Sequence, residues 1–376
     1  MTEIYLFLII IAFLASVACG LAFIPLTLDF CKQKGLYDIP DSRKVHKNAI
    51  PRLGGISFLP SMLIASIVAL IVYNQSCDCE QVTVNSWTIA FLVSLLLIYG
   101  IGTIDDIVGL GAKSKFAVQI FAASILPFFN LYINNLYGFF GIYEIPFWFG
   151  SALTVFIIVF VCNAINLIDG IDGLSAGLSL VALTGFLICY LHEGIFVYSI
   201  LITGLIGILV PFLYFNIFGN PAKNRKIFMG DSGSLTLGFI LGFLFVKFTM
   251  DNPNVKHFNL ESMMLAYTLL IVPTFDVVRV SLVRLSHKAH IFKADKNHIH
   301  HKLLRTGMSQ HSVLITIMAL TLSFILVNLS LWHMLNISMT SIFVIDIVIW
   351  IIANWGINKV IVSKGQQVFL SCQESL

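Results

Sequence analysis

The chain has 376 residues, of which 58% are hydrophobic and only 11% are charged, and its mean hydropathy is +0.93. Soluble domains carry about a quarter charged residues, so this composition excludes an ordinary soluble protein and indicates a membrane protein. The net charge of +3 gives no reason to expect nucleic acid as a partner. The seven cysteines show neither a CxxC pair nor a zinc-binding spacing.

Long apolar runs recur along the whole chain, and each is close to the roughly 20 residues that a helix needs to cross a bilayer. The first run lacks the basic start of a signal peptide and is interpreted as an uncleaved span. We predict an all-α, polytopic membrane protein of about eleven transmembrane helices, with one membrane-embedded domain over 1–360 and a cytoplasmic tail over 361–376. The runs begin near residues 3, 54, 86, 116, 150, 174, 196, 233, 262, 312 and 337.

Lysine and arginine gather in alternate loops between these runs. The loops 74–85 and 135–149 hold neither residue type, and Lys256 is the exception on their side. By the positive-inside rule, the basic loops are cytoplasmic, the N-terminus is periplasmic and the C-terminus is cytoplasmic. This predicts a multi-pass protein of the inner (plasma) membrane. The basic loops are 31–52, 113–115, 223–226 and 288–305, with the tail from residue 359.

Five polar motifs lie at the predicted cytoplasmic ends of the spans. Any one carboxylate there is as easily solvated as functional, but ionisable groups at membrane depth are costly, so a set of them on one face indicates a site. In chain order the motifs are GTIDDIVGL with Asp105 and Asp106, NAINLIDGIDGLSAG with Asp169 and Asp172, FMGDSGSLTLG with Asp231, VPTFDVVRV with Asp276 and Arg279, and ADKNHIHHKL with His298, His300 and His301.

Carboxylates and amides without cysteine suit a hard cation, and Mg²⁺ binds through one or two carboxylates plus substrate phosphates. Asp231 is the first candidate ligand, with the amide oxygen of Asn166 as the second, and Mn²⁺ is the alternative ion. The three histidines could instead hold zinc, but residues at i, i+2 and i+3 do not all share one helix face. Beside the lysines of the same loop, they are interpreted as donors to phosphate oxygens.

The motifs DD, NAINLIDGIDGL, GDSGS and HIHH, preceded by DIPDSRKVHKNAIPRLGGI, resemble the polyprenyl-phosphate N-acetylhexosamine-1-phosphate transferases (glycosyltransferase 4 family) over roughly residues 38–307. The ADKNHIHHKLLRTG stretch is similar to the branch that makes undecaprenyl-diphospho-N-acetylglucosamine. The resemblance implies transfer of N-acetylglucosamine-1-phosphate from UDP-N-acetylglucosamine to undecaprenyl phosphate at the cytoplasmic face. UDP-muramoyl-pentapeptide or another UDP-N-acetylhexosamine is the alternative donor, and a monomer and a homodimer both stay open.

The resemblance also implies a role for each motif. The acidic pair Asp105 and Asp106 would act in catalysis and engage the lipid phosphate, and Asp231 with Asn166 would form the magnesium site. Lys113 and Lys115 both lie near a family lysine, and the sequence does not decide which one aligns. The other implied substrate contacts are Asn163, Asp169, Asp172 and Phe228 at the nucleotide, His298, His300 and His301 near the diphosphate, and Arg52 and His46 in the leading segment.

Phosphoryl transfer needs positioning and neutralisation of charge more than covalent help from the protein. A phosphate monoester is already mostly dianionic at neutral pH, so a general base is only modestly useful. We favour a single displacement in which Asp105 or Asp106 acts as base or orients the lipid phosphate. An aspartyl nucleophile with a phospho-enzyme is the rival mechanism.

A multi-span transporter is the alternative from another class of protein. Carriers place their binding site near the bilayer midplane, often between repeats with internal symmetry. In this sequence the polar motifs stand at the ends of the spans, and no repeat is visible. These two features favour the enzyme.

Overall fold

The computed structural model describes residues 2–38, 49–76, 85–252, 258–290 and 295–370, and most of them are helical. The helices of the first half are α1 (Thr2–Lys34), α2 (Phe58–Ser76), α3 (Ser86–Val108), α4 (Ala112–Phe128), α5 (Phe147–Ile168), α6 (Leu174–His192) and α7 (Phe196–Ile217). Those of the second half are α8 (Gly230–Thr249), α9 (Ser262–Leu269), α10 (Ile271–Ser286), α11 (Ile299–Arg305), α12 (Gln310–His333) and α13 (Met339–Ser363).

Two short antiparallel strand pairs interrupt the helices. Strand β1 (Tyr37–Asp38) pairs with β2 (Ile50–Pro51), and β3 (Asn135–Phe139) pairs with β4 (Ile142–Glu144). The first pair ties the end of α1 to the segment that leads into α2. The second pair forms the connection between α4 and α5.

Each predicted span coincides with a helix or with a pair of helices. Among the described residues, nine helices are long and apolar enough to cross a membrane, and α9 with α10 makes a tenth if the bent pair counts as one span. Helix α4 has only 17 residues, which is about 26 Å of helix against a hydrocarbon core of about 30 Å. The all-α polytopic class is confirmed, whereas the count of eleven and the orientation of the termini remain predictions.

The run that begins near residue 262 is not the single straight span that the sequence predicts. The structure divides it into α9 and α10, which meet at a bend of 69°. Pro273 lies in the first turn of α10, where its missing N–H leaves no bond unmade, whereas in a continuous helix its ring would clash with the carbonyl of Leu269. The intervening Leu270 accordingly leaves the helical conformation, with φ −113° and ψ 10°.

Helix α8 is the enclosed centre of the bundle, because all its residues from Ser232 to Thr249 are buried. Small residues let its neighbours approach closely: a Cβ added at Gly238 would lie 2.6 Å from the Cα of Cys162 on α5, and one added at Gly102 of α3 would lie 2.7 Å from the Cα of Ser232. Larger side chains would push the helices apart. The N-terminus of α8 is therefore held between the C-terminal ends of α3 and α5.

The segment between β2 and α2 holds the chain that leads into α8. The N–H of Phe228 donates to the carbonyl of Pro51 at 2.7 Å, and the N–H groups of Gly54 and Gly55 donate to the carbonyls of Phe228 and Met229 at 2.9 and 2.8 Å. These bonds fix the start of α8 against a part of the chain more than 170 residues earlier.

Candidate active site

Helix α8 begins with two backbone donors directed at a carboxylate of α3. The N–H groups of Asp231 and Ser232 each donate to one Oδ atom of Asp106 at 2.8 Å. Gly230 has a φ of +71°, and a Cβ there would lie 2.1 Å from the carbonyl oxygen of Arg52, so the position needs glycine for conformation and for space. The positive end of the helix dipole and the two hydrogen bonds favour the ionised form of Asp106 and oppose the desolvation of this buried carboxyl. Asp106 therefore anchors the N-terminus of α8 to α3.

Asp231, in the first turn of α8, is the centre of a charged cluster. The ammonium of Lys115 donates to Asp231 Oδ2 at 2.6 Å and to Asp105 Oδ2 at 3.2 Å. Asp105 is held in turn, because its Oδ1 accepts from the N–H of Leu110 at 2.6 Å. One cation on α4 thus links carboxylates of α3 and α8. Lys113, two residues earlier, is exposed, so the structure places Lys115 rather than Lys113 in the cluster.

Helix α5 adds an amide to this cluster. Asn166 Nδ2 donates to Asp231 Oδ1 at 3.0 Å and to Ser234 Oγ at 2.8 Å. The amide nitrogen therefore faces the carboxylate, although the amide oxygen was predicted to be a metal ligand. Asn163, one turn earlier, donates to Gln119 Oε1 at 2.5 Å and so faces α4.

The loop between α5 and α6 contributes two further carboxylates. Asp172 Oδ2 accepts from the ammonium of Lys226 at 2.6 Å. Asp169 is exposed where it lines the cavity, and partial desolvation by the surrounding protein, followed by the negative charges of Asp231, Asp172 and Asp106, raises its pKa. A cation bound nearby would lower this pKa and favour the ionised form of Asp169.

The acidic groups converge on one cavity of about 340 Å³. Carboxylates, amides and the guanidinium of Arg52 form much of its wall, so the cavity suits a charged ligand better than an apolar one. From the acidic motifs, it is lined by Asp105, Asp106, Asn166, Asp169, Asp172 and Asp231. From the other predicted substrate contacts, it is lined by Arg52, Phe228 and His301.

The first of the three predicted histidines is fixed by a carboxylate of α10. His298 Nδ1 lies 2.8 Å from Asp276 Oδ2, and Asp276 Oδ1 accepts from the N–H of Ile299 at 3.0 Å and from Arg279 at 2.7 Å. Asp276 is fully buried. It therefore fixes both the ring of His298 and the start of α11, a role that the sequence did not reveal.

The other two histidines differ from His298 and from each other. His300 is buried against Gly170, where an added Cβ would lie 2.1 Å from its Nε2. His301 alone lines the cavity among the three. Burial, followed by the positive charges nearby, lowers the pKa of His301 to about 4. Its ring is therefore neutral at physiological pH and can donate one hydrogen bond without adding charge.

Asp231 presents a carboxylate at the polar cavity, which is ligand chemistry suited to a hard cation. Its side chain is 23% exposed, and its two carboxylate oxygens accept from Lys115 and Asn166. Among the described residues, no three His, Cys, Asp or Glu side chains form a group able to hold a metal by themselves. Mg²⁺ does not require such a group, because substrate phosphates complete its coordination.

The structure thus gathers most of the predicted site residues, but not all of them. His46 lies outside the described residues, and Asn163, Lys113, His298 and His300 are described but point elsewhere than into the cavity. Asn216 lines the cavity and was not predicted; its Oδ1 accepts from the N–H of Gly173 at 2.6 Å. No feature of the sequence around Asn216 distinguishes it from the surrounding apolar helix.

Fold and site together define a polytopic membrane protein with a polar cavity at the ends of its spanning helices. Comparison with known proteins gives the family. Residues 88–249 match the model of the family described as glycosyl transferase family 4. With a relative 31% identical over 92% of the chain, the match shows that this chain belongs to that family.

Three curated relatives illustrate the similarity. A Bacillus subtilis (strain 168) protein named "Probable undecaprenyl-phosphate N-acetylglucosaminyl 1-phosphate transferase" is 31% identical over 92% of this chain and 91% of its own length. An Escherichia coli O157:H7 undecaprenyl-phosphate alpha-N-acetylglucosaminyl 1-phosphate transferase is 30% identical over 78% and 76%. A Mycobacterium leprae (strain TN) decaprenyl-phosphate N-acetylglucosaminephosphotransferase is 32% identical over 74% and 72%.

Proposed function

We propose that this protein transfers N-acetylglucosamine-1-phosphate from UDP-N-acetylglucosamine to undecaprenyl phosphate, with undecaprenyl-diphospho-N-acetylglucosamine and UMP as products. The observation that carries the proposal is the cluster of Asp105, Lys115, Asn166 and Asp231, in which four helices meet at one polar cavity. The names of the relatives support a sugar-1-phosphate transfer and favour this donor and acceptor.

A water-soluble donor and a lipid acceptor can meet only where a site is open to both. The cavity lies where the spanning helices end, and basic segments nearby would attract anionic headgroups and nucleotides. From the distribution of lysine and arginine, we place this end in the cytoplasm, with eleven spans, a periplasmic N-terminus and a cytoplasmic C-terminus. The protein is then a multi-pass enzyme of the inner membrane.

The expected contacts to the donor come from three separate parts of the chain. Phe228 supplies an aromatic face for the uracil ring, and Arg52 supplies a guanidinium that suits phosphate oxygens. His301 can donate a hydrogen bond while remaining neutral. Together these residues recognise a base and a diphosphate, which is the chemistry of a nucleotide sugar.

Asp231 is the residue that would hold Mg²⁺ or Mn²⁺, and Asn166 would become a second ligand through its amide oxygen only if its amide group turned over, because in the structure the amide nitrogen faces Asp231. When bound, the ion would neutralise charge on the diphosphate and stabilise UMP as a leaving group. Lys115 supplies positive charge at the same point, because its ammonium is shared between Asp231 and Asp105. Asp105, Asp231 and Lys115 together carry a net negative charge, so it is the bound ion that would offset the repulsion between two phosphorylated reactants.

The two adjacent acidic residues have different surroundings, which support different roles. Both Oδ atoms of Asp106 accept from the backbone of α8, so Asp106 builds the site. Asp105 has 13% of its side chain exposed and lines the cavity, and it is the better candidate to orient the lipid phosphate. An oxygen of that phosphate attacks the β-phosphorus of the donor. The new P–O bond forms as the bond to the UMP oxygen breaks, and the negative charge leaves on UMP.

The test is release of UMP by purified protein with Mg²⁺, undecaprenyl phosphate and a panel of UDP conjugates. The panel contains N-acetylglucosamine, N-acetylgalactosamine, N-acetylfucosamine and muramoyl-pentapeptide. We expect UMP and a lipid-linked diphospho-sugar with N-acetylglucosamine as the preferred donor. A preference for another conjugate would correct the donor alone, whereas movement of an intact UDP-sugar across vesicles without UMP would support a transporter.

A further inference from the structure

Residues 364–370, which follow the end of α13, form a strap against the segment that carries α11. The side chain of Asn297 makes a reciprocal pair with Leu370: its Nδ2 donates to the carbonyl at 3.0 Å, and its Oδ1 accepts from the N–H at 3.0 Å. Farther along α11, a guanidinium nitrogen of Arg305 donates to the carbonyl of Gln367 at 2.9 Å. The strap therefore contacts the chain just before α11 and at the last residue of α11.

Two more contacts fix the ends of the strap. The Phe369 ring stacks on His287, just after α10, with centroids 4.0 Å apart and planes at 14°. At the other end, the ammonium of Lys364 donates to the carbonyl of Thr306. Backbone carbonyls and a backbone N–H of the strap carry most of these bonds. The position of the strap relative to α11 therefore depends more on the path of the strap backbone than on the identity of the strap side chains.

Helix α11 depends on such outside contacts. It has seven residues, and a helix this short is unstable on its own in water. Asp276 fixes its first residue from α10. The strap is bonded to Asn297, which precedes the histidines, and to Arg305, which ends the helix. His301, which lines the cavity, lies between these two attachment points.

We propose that the strap, acting through Asn297, is a positioning element that sets the place of His301 in the cavity. Asn297 is a positioning residue, because it acts on the site through α11. The identity of the ligand that His301 meets rests on the proposed function. The strap lies outside residues 88–249, which match the family model, and outside the sequence motifs of the site. A small displacement at a reacting centre is enough to change binding or rate strongly.

The experiment compares wild type with Asn297→Ala, with a chain ended after Ser363, and with both changes together. Asn297→Ala should raise KM for UDP-N-acetylglucosamine by about five-fold, the equivalent of about one net hydrogen bond. KM for undecaprenyl phosphate should stay unchanged. Because both changes break the same contact, the double variant should equal the truncated chain. Effects that multiply, or a truncated chain that equals wild type, would overturn the proposal.

Two further variants separate positioning from a general loss of structure. Asn297→Asp can still accept from the Leu370 N–H, but it replaces the donor to the Leu370 carbonyl by an oxygen that repels this carbonyl, so its KM should be at least as high as that of Asn297→Ala. Gln366→Ala, at an exposed residue of the strap, is the matched control and should equal wild type. An Asn297→Asp chain with the KM of wild type would show that the reciprocal pair is not what positions α11.

Hydrogen exchange of the backbone amides of residues 300–306, measured without substrates, tests the strap independently of the reaction. Exchange should be faster in the truncated chain than in wild type. If wild type releases no UMP but this difference appears, the proposed function fails and the strap stands. If wild type is active and exchange is the same in both chains, the strap is wrong and the proposed function stands.

Discussion

The two ends of α8 each carry an enclosed ionisable group, yet they differ in every contact around it. At the first end, Asp231 shares the Lys115 ammonium with Asp105 and faces a cavity. About 24 Å farther along the helix, Lys247 is 3% exposed, and its Nζ has no hydrogen-bond partner in the described part of the chain. That ammonium lies 3.9 Å from the centroid of the Trp87 ring.

A buried charged side chain in a membrane protein is therefore not by itself evidence of a functional site. Lys247 is tolerated because its apolar stem packs in the bundle and its ammonium meets an aromatic face. Asp231 instead meets a cation from α4 and an amide from α5, and its own backbone N–H donates to Asp106 of α3. What distinguishes the site is that polar side chains from several helices meet at a cavity.

Among these substitutions, Asp231→Asn should have the largest effect on activity. We expect a loss of turnover on the order of 100-fold or more, because the variant removes the expected metal ligand and leaves Lys115 with one carboxylate. UMP release measures the loss, and higher Mg²⁺ or Mn²⁺ should restore part of it. Retention of activity close to wild type would remove Asp231 from the centre of the site.

The two lysines of α4 form a matched pair. Lys115→Met should lower turnover by about 10- to 100-fold, because it leaves two carboxylates without their shared cation. Lys113→Met, at an exposed residue, should change turnover by less than about two-fold. UMP release under identical conditions decides between them, and the opposite ranking would mean that α4 presents its other face to α8.

Substitutions of Asp105 and Asp106 distinguish a structural role in the site from a role in the reaction. Asp106→Asn should lower turnover by about 10-fold while donor binding survives, and it should lower the free energy of unfolding by about 1–3 kcal/mol, because the amide offers one acceptor to two backbone donors. Asp105→Asn should lower turnover without that loss of stability. Turnover, donor binding and denaturant unfolding should be measured together.

Glu144→Gln serves as the control for this pair. Glu144 is an exposed residue of β4, away from the cavity-lining residues, and its substitution should be close to neutral. If it proved as damaging as Asp106→Asn, the assigned topology would be wrong.

The smallest effect is expected at the other end of α8. Lys247→Met should change turnover by less than about two-fold and leave the melting temperature equal or higher, since an apolar side chain of similar length avoids burying a charge. Thermal unfolding and UMP release measure the two quantities. A large loss of turnover with intact folding would show that Lys247 belongs to a site of its own.

The helices could be predicted because apolar length is a property of one continuous segment. The runs near 86, 150 and 233 correspond to α3, α5 and α8, and the acidic motifs at their ends meet as expected. The break at Leu270 was missed, although Pro273 was the local signal for it. Asp276 with Arg279, three residues later, was seen as a polar pair, but its partner His298 lies 22 residues away.

The rest of the site depended on which helix face turns inward, and composition does not determine that. Lys113 and Lys115 are two residues apart, about 200° around a helix, so only the packing of α4 selects between them. His298, His300 and His301 are close neighbours in the chain, yet they contact a carboxylate, a glycine and the cavity respectively. The contacts of the strap join residues 58 or more positions apart, beyond the reach of any local pattern.

We propose that acidic motifs far apart in the chain form one donor-binding site at the cytoplasmic end of the bundle. In a background without the native cysteines, Gln310→Cys, at a residue that lines the cavity, and Glu144→Cys should be labelled with a membrane-impermeant maleimide. We expect the cysteine at position 310 to be labelled only in inverted vesicles, and UDP-N-acetylglucosamine should slow this labelling. The cysteine at position 144 should be labelled only in right-side-out vesicles. If both positions were labelled from the same side and the nucleotide sugar gave no protection, the proposed position of the donor site would be wrong.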